Sequence, residues 1–368
     1  MPEPPSWQDR DSLAPTDERW SFGGVGTAVG TAEGTLLPEI LVVSPRQAAL
    51  DARWRPGFSA THLAFRQVPV LNDITAVDER GANYALRVNV MSGSGDKSTE
   101  TAWPIAMRLL LDPVPGREAR WLELRGQNGT AARLLPSTRA AARVDQLRST
   151  AVSPAERELS EHALSLIALS SGGDTETVAS AVRRRCSVVL ARSTELQGSG
   201  DLDAASELPG QLARLCAALT EHRVADGLPP RWSGMLAAAE RRDGPRYHLD
   251  LGASLPPVDG VTVLIDSLFS THDGWRLYLR AAPGWWKYSG DRDRKWAVLS
   301  VSPEDDRGGS YISTFGGSTG HQDHEEVTLR FLPRLDPAAR ALKLTVRGAT
   351  EEVPVTIGLD AVANSPLT

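Results

Sequence analysis

From Trp20 to about Leu147, short runs of alternating apolar and polar residues are separated by turn residues. The clearest runs are residues 37–43, 61–66, 83–90 and 105–111. Tyr84, Leu86, Val88 and Val90 recur at period two, the pattern of a strand with one buried face. Gln127-Asn128-Gly129 predicts a hairpin-type turn, because Asn and Gly tolerate positive φ. From about 153 to 241 the period lengthens. Ser153-Pro154-Ala155-Glu156 reads as a capping box with Pro at the first helical position. Leu159, Ala163, Leu166 and Ile167 follow at helical spacing. Further helices are predicted through Val178, Val182, Cys186 and Val189, through Leu208, Leu212, Leu215, Cys216 and Leu219, and through Trp232, Met235, Leu236 and Ala239. From Tyr247 onward the alternation returns, as in Val261, Val263 and Ile265 or Val353, Val355 and Ile357. About seven strands over the last part of the chain suit an immunoglobulin-like sandwich.

The expected fold is therefore mixed and mainly β: two immunoglobulin-like β-sandwich domains separated by an α-helical segment. The expected boundaries are a disordered lead at 1–19, a sandwich at 20–150, helices at 151–245, a second sandwich at 246–360 and a tail at 361–368.

The two β regions share an internal repeat. Asp78-Glu79-Arg80-Gly81-Ala82-Asn83-Tyr84 aligns with Asp305-Asp306-Arg307-Gly308-Gly309-Ser310-Tyr311. A strand ending in Arg precedes each, aligned as residues 62–66 and 275–280. Residues 107–111, Asp112-Pro113 and 122–124 follow the first; residues 327–331, Asp336-Pro337 and 342–344 follow the second. The motif has a structural mechanism. Asp78 or Asp305 accepts turn amides, Gly81 or Gly308 takes positive φ, and Tyr84 or Tyr311 enters the next strand with its hydroxyl bonded at the rim. Arg80 and Arg307 belong to the same corner.

The second copy, from Asp305-Asp306-Arg307-Gly308 through Tyr311 to Phe331-Leu332-Pro333, resembles immunoglobulin-like domains of uncharacterised bacterial proteins, some within membrane-anchored anti-sigma-type regulators. The whole chain resembles conserved actinobacterial proteins of unknown function. The resemblance implies a sandwich fold and no particular activity, and a membrane anchor like that of those regulators is not expected here.

Composition narrows the function classes. The net charge of -6 gives no general positive field to attract a polyanion, so nucleic acid is not an expected partner. No secretory signal and no long apolar run are present, so a cytoplasmic protein without membrane insertion is expected. The only lysines are Lys97, Lys287, Lys295 and Lys343, a bias of GC-rich bacterial coding. Cys186 and Cys216 read as small buried hydrophobes; a disulfide between them is the alternative, without support because two thiols do not make a framework.

Several motifs invite chemistry. Gly24-Val25-Gly26-Thr27-Ala28-Val29-Gly30 superficially fits a dinucleotide-binding loop, but no strand–turn–helix surrounds it. Gly316-Gly317-Ser318-Thr319-Gly320 fits a nucleophile elbow by letter, yet a polar loop runs from it straight into a strand. In that loop His321, Asp323 and His324, with Glu325, are weak candidate metal ligands. Arg183-Arg184-Arg185 reads as a solvated helix face. Trp285, Trp286, Tyr288 and Trp296 form the candidate binding surface, because adjacent strand residues point to opposite faces. No catalytic residue and no cofactor is expected. The favoured reading is a non-catalytic scaffold or regulatory adaptor that binds a protein or self-associates. The alternatives are a carbohydrate- or small-ligand-binding protein at Trp285 and Trp286, or a metal-assisted hydrolase at the 321–326 loop.

Overall fold

A computed structural model describes residues 19–24, 27–32, 34–56, 71, 73–92, 105–145, 148–149, 154–170, 175–200, 207–221, 227–228, 230–239, 247–270, 274–288, 295–320 and 324–360. The expected strand at 61–66, the lead up to residue 18 and the tail at 361–368 lie outside them.

The first unit holds β1 (Trp20–Gly24), β2 (Val29–Gly30), β3 (Gly34–Val43), β4 (Ala48–Pro56), β5 (Thr75–Asp78), β6 (Asn83–Ser92), β7 (Ile105–Asp112), β8 (Leu122–Arg125) and β9 (Ala131–Pro136). Pairing runs β1-β9-β8-β5-β6-β7-β4-β3, and β3 returns to β1, with β2 added at the side of β3. Phe22 pairs with both Leu41 on β3 and Pro136 on β9. This is a closed, eight-stranded antiparallel barrel, and it overturns the expectation of two immunoglobulin-like sandwiches. Alternation reports which face of a strand is buried, but not which partner its second edge finds. Here β1 pairs on both edges, so no sheet edge remains and the barrel closes. Its interior holds Phe22, Leu36, Leu41, Leu50, Trp54, Leu109, Leu122, Leu124 and Leu134.

The chain then enters the second unit before any helix. β10 (Thr138–Arg139) pairs in parallel with β13 (His248–Ser254), while β11 (Ala142–Val144) and β12 (Arg148–Ser149) pair antiparallel with β22 (Glu351–Gly358). Four helices follow: α1 (Pro154–Ser170), α2 (Thr175–Gly198), α3 (Leu208–Glu221) and α4 (Pro230–Ala239). The strands that complete the unit are β14 (Thr262–Ser270), β15 (Trp275–Ala282), β16 (Trp286–Tyr288), β17 (Lys295–Ala297), β18 (Ser300–Asp305), β19 (Ile312–Gly320), β20 (Glu325–Leu332) and β21 (Ala341–Arg347). They form sheets of order β10-β13-β14-β15-β20-β19 and β11-β22-β21-β18 around one core, with β16–β17 as a separate hairpin.

The helices are therefore an insertion within the second unit and not a linker between two sandwiches. Their apolar stripes pack together and onto Ile312 of β19. Cys186 on α2 and Cys216 on α3 form a disulfide with Cα atoms 5.8 Å apart, correcting the reading of two free thiols. Among the described residues no helix is long and apolar enough to cross a membrane.

Strand order in the second unit follows that of the barrel. β13, β14, β15, β20, β19, β18, β21 and β22 occupy the places of β1, β3, β4, β7, β6, β5, β8 and β9. Register then matches single residues. Both β3 and β14 break register at one acidic residue, Glu39 between Pro38 and Ile40, and Asp266 between Ile265 and Ser267. This alignment corrects two details of the sequence repeat. The strand equivalent to β15 is β4, not residues 62–66, and Asp112 at the end of β7 matches Leu332, not Asp336.

Candidate functional site

The two corner motifs fold alike. Asp78 Oδ1 accepts the amides of Arg80 and Ala82, both at 2.9 Å, and Asp305 Oδ1 accepts those of Arg307 at 3.0 Å and Gly309 at 2.7 Å. Gly81 has φ 78° and Gly308 φ 82°, the left-handed region that glycine adopts without a Cβ clash. The Tyr84 hydroxyl donates to Asp78 Oδ2 at 2.9 Å, and the Tyr311 hydroxyl to Asp305 Oδ2 at 2.5 Å. Burial, with the Asp78 carboxylate beside it, pushes the Tyr84 phenol up to about 12. Burial works against the Asp78 charge, but its amide and phenol donors outweigh it and hold the carboxyl below the usual range. Each carboxylate is saturated by its own turn, so the corners serve folding. Arg80 and Arg307 point outward to Glu118 and Asp336.

Of the candidate aromatic surface, the two tryptophans whose side chains are described pack inward. Trp285 is 2% exposed and belongs to the second core, and Trp286 is half-buried against it. Their amides donate to Glu325 Oε2 at 3.0 and 3.3 Å, so the acid of the 321–326 loop is used to hold the backbone of the tryptophan pair. The side chains of Tyr288 and Trp296 lie outside the described part of β16 and β17. His321 and Asp323 also lie outside it, and His324 is buried. Among the described residues no three His, Cys, Asp or Glu side chains group as a metal site. Gly316-Gly317-Ser318-Thr319-Gly320 is strand β19, without the strand–helix junction an elbow needs. Gly24 and Gly30 sit in β1 and β2. Arg183, Arg184 and Arg185 are exposed on α2.

A buried cluster of charge stands apart from every motif of the sequence reading. It lies where the outer face of β3, β4 and β7 meets that of β14, β15 and β20. Glu39 is 2% exposed and takes Arg53 Nε at 2.6 Å and Arg276 Nη1 from the other unit. Asp266 takes Arg280 through two contacts, at 2.7 and 3.0 Å, and Arg19 Nη1 at 3.3 Å. Arg108 clasps Asp51 at 2.8 and 3.2 Å and reaches Glu326, which also meets Arg19 at 3.2 Å. Burial works against the Arg108 charge, yet Asp51 and Glu326 outweigh it and raise its pKa above the ordinary guanidinium value. For Arg19 burial wins and its pKa falls below that value. Ile40, Val42, Phe269 and Tyr278 form the apolar part of the junction.

Beside it, Ser21 Oγ bonds Asp250 Oδ1 and lies 3.0 Å from Ser137 Oγ. His248 is buried edge-on against Phe269, with ring centroids 5.7 Å apart. Neither ring nitrogen has a hydrogen-bond partner among the described residues, and burial pushes its pKa down to about 3. Ser, His and Asp thus share one place without forming a proton relay: the hydroxyl goes to the carboxylate, and the imidazole stays outside the chain of bonds.

A cavity of about 30 Å³ opens within the junction, lined in part by Arg19, Ala49, Asp51, Arg108, Asp266 and Glu326. It offers room for about one water and no drug-sized ligand. Two guanidiniums, Arg19 and Arg108, and three carboxylates, Asp51, Asp266 and Glu326, pair with one another around it, so the arrangement fixes one unit against the other. The sequence held one usable signal: Glu39, Asp51, Arg53, Arg276 and Arg280 interrupt runs otherwise typical of buried strands.

No protein-family model matches the sequence, and no curated protein matches it. Among solved structures, a conserved domain protein from Bacillus anthracis aligns over 88% of this chain and 77% of its own, at 8% identity and a TM-score of 0.23. A likeness that low carries no argument about fold or function.

Proposed function

We propose that this chain is a non-catalytic scaffold or adaptor that binds a protein partner. The observation that carries the reading is the buried ion-pair junction. Paired charges out of water cost desolvation energy, and our reading is that these are kept because they fix one arrangement of the two units. A framework that holds two β units at one angle suits the presentation of a composite surface to a partner. The cytoplasmic setting is part of the proposal, and the bond between Cys186 and Cys216 bears on it, because cytosolic thiols are kept reduced.

The test is capture from native lysate, with size-exclusion and light scattering on the recovered material. A defined partner is expected with the wild-type chain, and weakened capture with Arg276→Ala, which loosens the junction. A lone monomer with no partner sinks the reading. Thiol counting on protein quenched inside the source cells tests the compartment: two free thiols fit the cytoplasm, and none fits an oxidising one.

A further inference from the structure

We infer that the two units meet as a self-complementary pair, like the subunits of a two-fold dimer carried on one chain, and that Arg19 stands in for an arginine the first unit lacks at Ala49. This goes beyond the binding proposal and holds whether or not a partner exists.

In a two-fold interface a contact between residue i and residue j of the partner implies the reciprocal contact. Register supplies the equivalences. Ser21 pairs with Val42, and His248 with Phe269; Gly23 pairs with Ile40, and Asp250 with Ser267. Since β1 and β3 stand for β13 and β14, Ser21 corresponds to His248 and Gly23 to Asp250. Ser21 bonds Asp250 across the junction. The reciprocal pair, Gly23 and His248, is in contact too: a Cβ built on Gly23 would sit 2.9 Å from the His248 Cβ. Val42 and Phe269, equivalent to each other, share the apolar centre.

The pairs of Glu39 and Asp266 follow the same operation, whereas Arg108 and Glu326 correspond to Thr328 and Ala106 and belong to one side alone. Glu39 corresponds to Asp266 and Arg53 to Arg280, and each carboxylate pairs with the arginine of its own unit. Glu39 is also bridged from the other unit by Arg276. Arg276 pairs with Phe269, as Ala49 pairs with Val42, so Ala49 holds the equivalent position. The reciprocal arginine is missing. Ala49 and Asp266 instead line the same small cavity, and Arg19, from just before β1, reaches Asp266 there. One end of the junction is bridged from within a strand; the other is bridged by a substitute from the chain entering the barrel.

The experiment is urea unfolding of the full chain carrying Arg19→Ala, Arg276→Ala, both, and Arg19→Ala with Ala49→Arg. Arg19→Ala and Arg276→Ala are each expected to raise the unfolding equilibrium constant on the order of 100-fold, since each strips a buried carboxylate of its cross-unit partner. Their effects should multiply, because they act at separate ends. Ala49→Arg in the Arg19→Ala background should recover at least tenfold. An Arg19→Ala change below about threefold, with Arg276→Ala fully destabilising, overturns the inference. So does a double variant, Arg19→Ala with Ala49→Arg, no more stable than Arg19→Ala alone.

Discussion

The two β units run their strands in one order yet end differently. In the first, β1 and β9 meet through three register pairs, from Phe22↔Pro136 to Gly24↔Leu134, and the barrel shuts. In the second, the equivalent β13 and β22 do not pair. The residues just after the first barrel lie between them: Thr138 pairs with Leu249, Ala142 with Ile357, and the Ala140 and Gly358 amides bond Asp250 and Ala141. The first unit therefore closes on its own repeat strands, and in the second, residues 138–144, which the repeat does not include, stand between the first and last repeat strands. Closure of a β unit follows from which backbone is available to the last open edge, and strand order alone does not settle it.

Breaking that comparison starts at the junction, where both units contribute charge. Glu39→Ala leaves Arg53 and Arg276 without their carboxylate and should cost about 3–5 kcal/mol in chemical denaturation. Asp266→Ala should cost a similar amount through Arg280 and Arg19, and a much smaller loss would mean that the two ends are not alike.

The next effect separates the units. The Cys186–Cys216 bond closes a segment with a sequence separation of 30 in the helical insertion. Cys186→Ser with Cys216→Ser should lower stability by about 3 kcal/mol. Hydrogen exchange should rise in the helices and leave the amides of β3, β4 and β7 protected.

Acid sharpens the contrast between Ser21 and its equivalent His248. Burial holds the His248 pKa near 3 in the folded chain, against 6.5 for an ordinary imidazole. As pH falls below 6.5 the unfolded chain takes up a proton that the folded chain refuses, so stability is present above that pH and drains toward pH 3. Between pH 6 and 4.5 the loss from this group is about 2 kcal/mol. His248→Leu should remove that share of the slope in unfolding measured at both pH values; an unchanged slope would contradict the buried, unpartnered imidazole.

The smallest effect tests the corners. Tyr84→Phe removes one bond to a carboxylate and should cost about 1.5 kcal/mol. Tyr311→Phe should cost somewhat more, because the Tyr311 hydroxyl also accepts the Asp336 amide at 3.3 Å. Equal values would show that this extra bond contributes nothing.

Particular residues show how far sequence reading went. The acid–Arg–Gly–Tyr corner was legible because its bonds join residues at most six apart. The strand assigned before it was wrong. Without the register, β4 and its charges Asp51 and Arg53 could not be matched to Tyr278 and Arg280. Trp285 was a candidate surface residue and proved a core one, because strand alternation assigns faces and leaves open what covers each face. The charges that interrupt the buried runs were legible singly, but their pairing was not: Glu39 lies 237 positions from Arg276, and nothing local says that those two strands meet.

Local pattern by itself determined where strands, helices and tight turns form, since period, caps and glycine φ act over a few residues. Three-dimensional packing decided that the first unit closes into a barrel, that the helices are inserted in the second, that two cysteines meet, and that charges from both units neutralise each other at one junction. Those outcomes depend on edges and side chains far apart along the chain, and their energies exist only once the backbone has brought them within a few ångströms.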